Sequence, residues 1–91
     1  MNKAELTLAV AEKTGLSRRD TEQAISALLE IIQEQLVTGD KVQLLGFGSF
    51  EVRERPAHEG VRPGTREPMT MPASRVPVFK PGKTLRDTVN D

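Results

Sequence analysis

Residues 53–83 read RERPAHEGVRPGTREPMTMPASRVPVFKPGK, and the fold turns on this stretch. Its middle, Pro56 to Pro72, carries four prolines, two glycines and almost no bulky apolar residue, so it cannot build a core of its own. The flanks differ. Ser49 to Arg55 alternates, with Phe50 and Val52 on one face and Glu51, Arg53 and Arg55 on the other, the period of a strand. Arg75 to Lys80 reads as a returning strand with Val76, Val78 and Phe79, and Pro77 inside it implies an edge position or an irregularity. Two strands joined by a proline-rich excursion describe an extended arm. Met69 and Met71, at period two, fall on one face of its returning limb.

Charge follows the same division. The 91 residues have a formal net charge of zero. Residues 53–86, however, hold eight of the thirteen basic residues against three acidic ones, a surplus of five. The pattern is an acidic helical body with a basic second half. There is no cysteine, hence no disulfide and no thiolate metal site. No apolar run is long enough to span a membrane, and MNKAEL lacks the layout of a secretory signal, so a cytoplasmic protein is expected. Three phenylalanines are the only aromatic residues. A chain this short with so few large side chains is marginal alone, and oligomerisation is the usual remedy.

Outward from the arm, the remaining elements are short and well punctuated. Asn2 with Glu5 three residues on is a capping box for a helix from Lys3 to Thr14, with Leu6, Ala9 and Val10 at helical spacing and Gly15 as its stop. Ser17 caps a second helix that ends at Gly39-Asp40. Its apolar residues, Ala24, Ile25, Leu28, Leu29, Ile31, Ile32 and Leu36, make a stripe too wide for one short partner. One side is expected to meet the first helix and the other a second subunit. Lys41 to Leu45 reads as a strand, Gly46-Phe47-Gly48 as a turn around a buried aromatic, and Lys83 to Val89 as a terminal helix with Leu85 and Val89 inward.

The blocks GFGSFEVRER at 46–55 and VPVFKPGK at 76–83, with MNKAEL, Gly39-Asp40-Lys41-Val42 and the Pro72-Ala73-Ser74 run, resemble the HU branch of the bacterial HU/IHF family of histone-like DNA-bending proteins. The resemblance covers nearly the whole chain. It implies an α+β fold: an intertwined homodimer with an N-terminal helical hairpin, a three-stranded antiparallel sheet with a long β-ribbon arm, and a short C-terminal helix. The expected regions of this single domain, 1–91, are a helical dimerisation region at 1–39, a β-saddle at 40–55 and 73–81, a DNA-binding arm at 56–72 and the C-terminal helix at 82–91. Ile25, Leu28, Leu29, Ile32, Leu36, Leu44, Phe47, Phe50 and Phe79 are the expected dimer core. The arm departs from the family pattern at His58, Val61, Arg62, Arg66 and Pro68. Arg66 fills a turn position that often calls for positive φ, and Gly64 is a neighbour able to supply that freedom.

An antiparallel ribbon is thin enough for the minor groove, where base readout is degenerate. The expected contacts with the DNA backbone are Arg53, Arg55, Arg75, Lys80, Lys83 and Arg86, with Lys3 as a flank contact. Arg62, Arg66 and Pro63 are the groove candidates, with His58 near the arm base. By spacing alone Pro63 reads as a turn proline ahead of Gly64; the resemblance makes it a wedge at the arm tip. Arginines alternating on a strand are by themselves a solvated face. The partner implied is double-stranded DNA with bent, nicked or flexible sites preferred, bound with little sequence specificity, in a nucleoid-associated protein that helps compact the bacterial chromosome. Neither cofactor, metal nor small-molecule substrate is expected, and no catalytic set is present: His58 stands alone, and no GxxxxGK phosphate loop occurs. The alternative, motivated by zero net charge and the altered arm, is a protein-interaction or scaffold dimer of the same fold.

Overall fold

The computed structural model describes residues 1–91. The chain divides into two compact units, Met1–Glu34 and Gln35–Asp91. Eight elements follow in order: α1 (Lys3–Thr14), α2 (Arg18–Val37), β1 (Val42–Leu44), β2 (Gly48–Arg55), β3 (His58–Val61), β4 (Pro68–Met71), β5 (Ser74–Pro81) and α3 (Lys83–Asn90).

Helix ends lie where capping chemistry puts them. The Asn2 side chain accepts from the Glu5 N–H at 2.9 Å, so one half of the box is made; the return bond from the Glu5 carboxylate is not formed. Gly15, at φ 76°, closes α1 with its N–H on the Ala11 carbonyl. Ser17 Oγ accepts from the Asp20 N–H at 3.0 Å and opens α2. At the far end the Asp40 N–H reaches Gln35 O and the Gly39 N–H reaches Leu36 O, a Schellman pair that Gly39 permits at φ 88°.

The inward face of α1 is rotated from the expected one. Thr7, Val10 and Ala11 are shielded, whereas Leu6 and Ala9 are exposed. Small residues allow close helix approach, and a threonine can join such a face by returning its hydroxyl to its own helix. Thr7 does so onto Lys3 O, and Thr21, the most buried residue of the chain, onto Ser17 O. Ala11, Thr21 and Ile32 are the only buried residues of the single chain. Leu28, Leu29 and Ile31 of the α2 stripe remain exposed.

In the second unit, β1-β2-β5 form an antiparallel sheet with β2 central, and β3-β4 form a separate two-stranded ribbon. β1 is shorter than expected, because the chain leaves the ladder at Leu45 to turn through Gly46, which sits at φ 82°. Phe47 is not a buried aromatic within one chain: it is 47% exposed, although its ring meets Phe79 at 5.6 Å. Val89 of α3 is likewise exposed and only Leu85 is partly shielded. β5 is an edge strand, which is how Pro77 is accommodated.

The ribbon extends the sheet in one register. Pairing runs from Gly48↔Pro81 to Arg55↔Ser74 and resumes at His58↔Met71, ending at Val61↔Pro68. The interruption falls where Pro56-Ala57 faces Pro72-Ala73, each side holding a proline that cannot donate to a ladder.

Candidate nucleic-acid interface

Residues directly opposite in an antiparallel pair share a face, so the register sorts the sheet into two sides. Val42, Leu44, Phe50, Val52, Pro77 and Phe79 form the apolar side, where the Phe50 and Phe79 rings lie 5.0 Å apart. Gln43, Ser49, Glu51, Arg53, Arg55 and Lys80 form the polar side, together with Val76 and Val78.

On the polar side, Arg53 and Arg55 are exposed and have no carboxylate within ion-pair distance. Lys80 is held by Glu51 at 2.9 Å, and Lys41 approaches the same carboxylate at 3.6 Å. The Lys80 hydrogen bond, then the charges of Lys80 and Lys41 and the Ser49 hydroxyl, hold the Glu51 carboxyl below its ordinary range against the opposing effect of desolvation. Lys41 is not among the expected contacts. Its signal in the sequence is its place two residues before Gln43, on the same side of β1.

Arg75 stands apart from the other expected phosphate contacts. It lies opposite Glu54, on the side of Pro77 and Phe79. Its guanidinium donates to Val37 O at 3.1 Å and Leu36 O at 3.0 Å, capping the last carbonyls of α2. A cation is favourable there because the helix C-terminus carries partial negative charge and unpaired acceptors.

The remaining cations are dispersed. Lys83 pairs with Asp87 one turn along α3, and Arg86 on the same helix is exposed and unpaired. Lys3 opens α1 and donates to Ser26 Oγ at 3.3 Å. His58 begins β3 opposite Met71. At the arm tip, Pro63 leads the turn 63–65, the Arg62 N–H meets Glu67 O at 2.8 Å, and Arg62 Nη1 lies 3.9 Å from Glu67 Oε2. Gly64 does not relieve Arg66: both take positive φ, 90° and 59°, because the Arg66 N–H must turn back to Arg62 O. Pro68 fits as the first residue of β4.

Nearly the whole chain has counterparts among known proteins. The family model described as bacterial DNA-binding protein matches residues 1–90. The chain belongs to that family, on its HU branch. DNA-binding protein HU of Geobacillus stearothermophilus is 58% identical over 89 residues, covering 98% of this chain and 99% of the relative. HU of Clostridium pasteurianum is 54% identical over 90 residues, covering 99% of each. Among solved structures, a cocrystal of Anabaena HU with DNA superposes with a TM-score of 0.90 at 52% identity, covering 98% of this chain and 97% of that one. HU of Thermotoga maritima superposes at 0.72 with 39% identity, covering 98% of both. The family is one of DNA-binding proteins and not of enzymes. No cluster of residues that could hold a metal is present, and no helix is long and apolar enough to cross a membrane.

Proposed function

We propose that this HU-family protein is a homodimeric architectural protein that binds double-stranded DNA with little sequence specificity and bends it. The observation that carries the reading is the pair Arg53 and Arg55, unpaired on the polar side of strands that continue in register into an arm ending at Pro63. Phosphate contacts position a protein without conveying sequence, which accounts for weak specificity. A proline at the tip offers a rigid apolar surface with no donor, suited to wedging between adjacent base pairs. Minor-groove architectural proteins, HU and IHF among them, kink DNA by roughly 20–90° in this way; that range belongs to the class and is not a property measured on this chain. Unstacking is unfavourable, and the bend returns phosphates to the saddle cations. Nicked, gapped or flexible sites therefore bend at lower cost.

The homodimer is supported by what one chain leaves uncovered. Leu28, Leu29, Ile31, Phe47 and Phe79 are all at least 39% exposed, more apolar surface than three buried residues can balance. The expected dimer core of Ile25, Leu28, Leu29, Ile32, Leu36, Leu44, Phe47, Phe50 and Phe79 includes all of these but Ile31, which lies on the same helix as Leu28 and Leu29. In this reading Arg53, Arg55 and Lys80 face phosphates, Arg86, Lys83 and Lys3 flank them, and Pro63 with Arg62, Arg66 and His58 acts at the groove. Arg75 serves the fold. The protein works in the cytoplasm on the nucleoid.

Titration against a nicked and an intact duplex at several salt concentrations tests this. Binding should weaken steeply as salt rises, by counterion release, and favour the nick. Absence of binding at low salt would leave the scaffold alternative standing. Pro63→Ala should lower the bend angle more than the affinity; an unchanged angle would make Pro63 a turn residue only.

A further inference from the structure

The paired segment of the arm contains no lysine and no arginine. One face of the ribbon holds His58, Gly60, Met69 and Met71; the other holds Glu59, Val61, Pro68 and Thr70. Its one formal charge, with His58 neutral, is the Glu59 carboxylate. Both arm cations flank the turn, and one of them, Arg62, already has Glu67 at 3.9 Å. Across residues 56–72 two arginines meet two glutamates, so the arm is neutral. By contrast β2, which leads into the ribbon, presents Arg53 and Arg55 without acidic partners.

A cation placed on a phosphate releases a condensed counterion, and the slope of log affinity against log salt steepens by about 0.9 for each such contact. A carboxylate brought within a Debye length of the same phosphates opposes that gain. The length is about 8 Å at physiological ionic strength, well beyond the separation of Arg62 and Glu67. Entry of this arm into a groove therefore releases few counterions on balance. Its affinity must come from contact. Methionine suits this, being unbranched and polarisable and able to fill irregular gaps against sugars and base edges. Gly60, opposite Met69, leaves the ribbon thin at its centre, and a Cβ there would sit 3.5 Å from Met71 Cγ.

We propose that the arm of this protein holds the minor groove by apolar contact through Met69, Met71, Val61 and Pro63, and that the salt dependence of DNA binding arises from the saddle alone. The inference rests on the DNA-binding reading above and assigns separate tasks to the two ends of one ribbon.

The full-length chain and three variants, titrated with a nicked duplex across a salt series, provide the test. Glu59→Gln, Arg62→Gln, Arg66→Gln and Glu67→Gln together, which remove the formal charges of the arm without changing its net charge, should leave the salt slope unchanged. Arg53→Gln with Arg55→Gln should flatten it by about 0.9 for each phosphate contact removed. Met69→Gln with Met71→Gln, which keeps side-chain length and removes apolar contact, should weaken binding about tenfold at every salt concentration, a parallel displacement of the line. Because the arm lies outside both the helical core and the aromatic cluster, thermal melting of the methionine variant should match the parent and show that folding is intact. Flattening in the variant without the four arm charges, or full affinity in the methionine variant, overturns the inference while leaving DNA binding in place. No binding by the unaltered chain at low salt overturns the DNA reading itself.

Discussion

The near half of the ribbon, β2 with β5, and the far half, β3 with β4, share one register and little else. The near half has eight ladder pairs, rests on the Phe50–Phe79 and Phe47–Phe79 contacts and ties its Arg75 to the end of α2. The far half has four pairs, no aromatic residue and no bond to another element. A two-stranded ribbon alone is marginal in water. Stability is thus concentrated where charges must be held in place, and the segment that must conform to a groove is left to open locally.

The sharpest way to break this comparison is a methyl group added to each half. At Gly48 a Cβ would stand 2.6 Å from Lys80 O and from Phe79 Cζ, so Gly48→Ala should cost about 1–3 kcal/mol in urea unfolding. At Gly60 the nearest atom is a flexible methionine at 3.5 Å, and Gly60→Ala should change stability by less than about 0.5 kcal/mol. Equal effects would show that the halves are not different in kind.

Next in size is Arg75→Ala. Loss of two charge-assisted bonds to exposed helix carbonyls should lower stability by about 1 kcal/mol, with the salt slope of DNA binding unchanged. A flatter slope would return Arg75 to the phosphate contacts. In the far half, Arg66→Gly should relieve the backbone at φ 59° by roughly 0.5–1 kcal/mol. The gain should appear as slower amide exchange in β3 and β4, with the global melting temperature unmoved.

The smallest effect concerns Glu51. Its folded pKa lies below the ordinary 4.5, chiefly through the Lys80 hydrogen bond. The stabilisation is therefore present above that ordinary value and is lost as pH falls through the lowered folded one. Glu51→Gln should flatten the urea midpoint against pH in this acidic window and lower it slightly near neutrality, where the Lys80 and Lys41 contacts are otherwise present. An equally steep acid loss in the variant would assign it to other carboxylates.

The sequence made some of this architecture plain and concealed the rest for physical reasons. Helix limits were legible because Asn2, Ser17, Gly15 and Gly39 act locally on backbone groups a few residues away. β2 was legible from strict alternation. The pairing of His58–Val61 with Pro68–Met71 was not, since prolines and glycines dilute the period-two pattern. Arg75 looked equivalent to Arg53 and Arg55 by composition. Its parity with Pro77 and Phe79 gave the side of the sheet, but only folding brings the end of α2 within reach. The rotated face of α1 was hidden because Thr7 counts as polar until its hydroxyl turns back onto the helix.

β5 closes the sheet with an open edge, and Pro77 stands near its middle. A row of free donors and acceptors is an invitation to any neighbouring strand, and proline is one of the residues that withdraws it. For a protein that would lie shoulder to shoulder with its own copies along a shared duplex, that withdrawal acts as insulation. Two copies brought close together would find β5 a poor template for a continuous ladder.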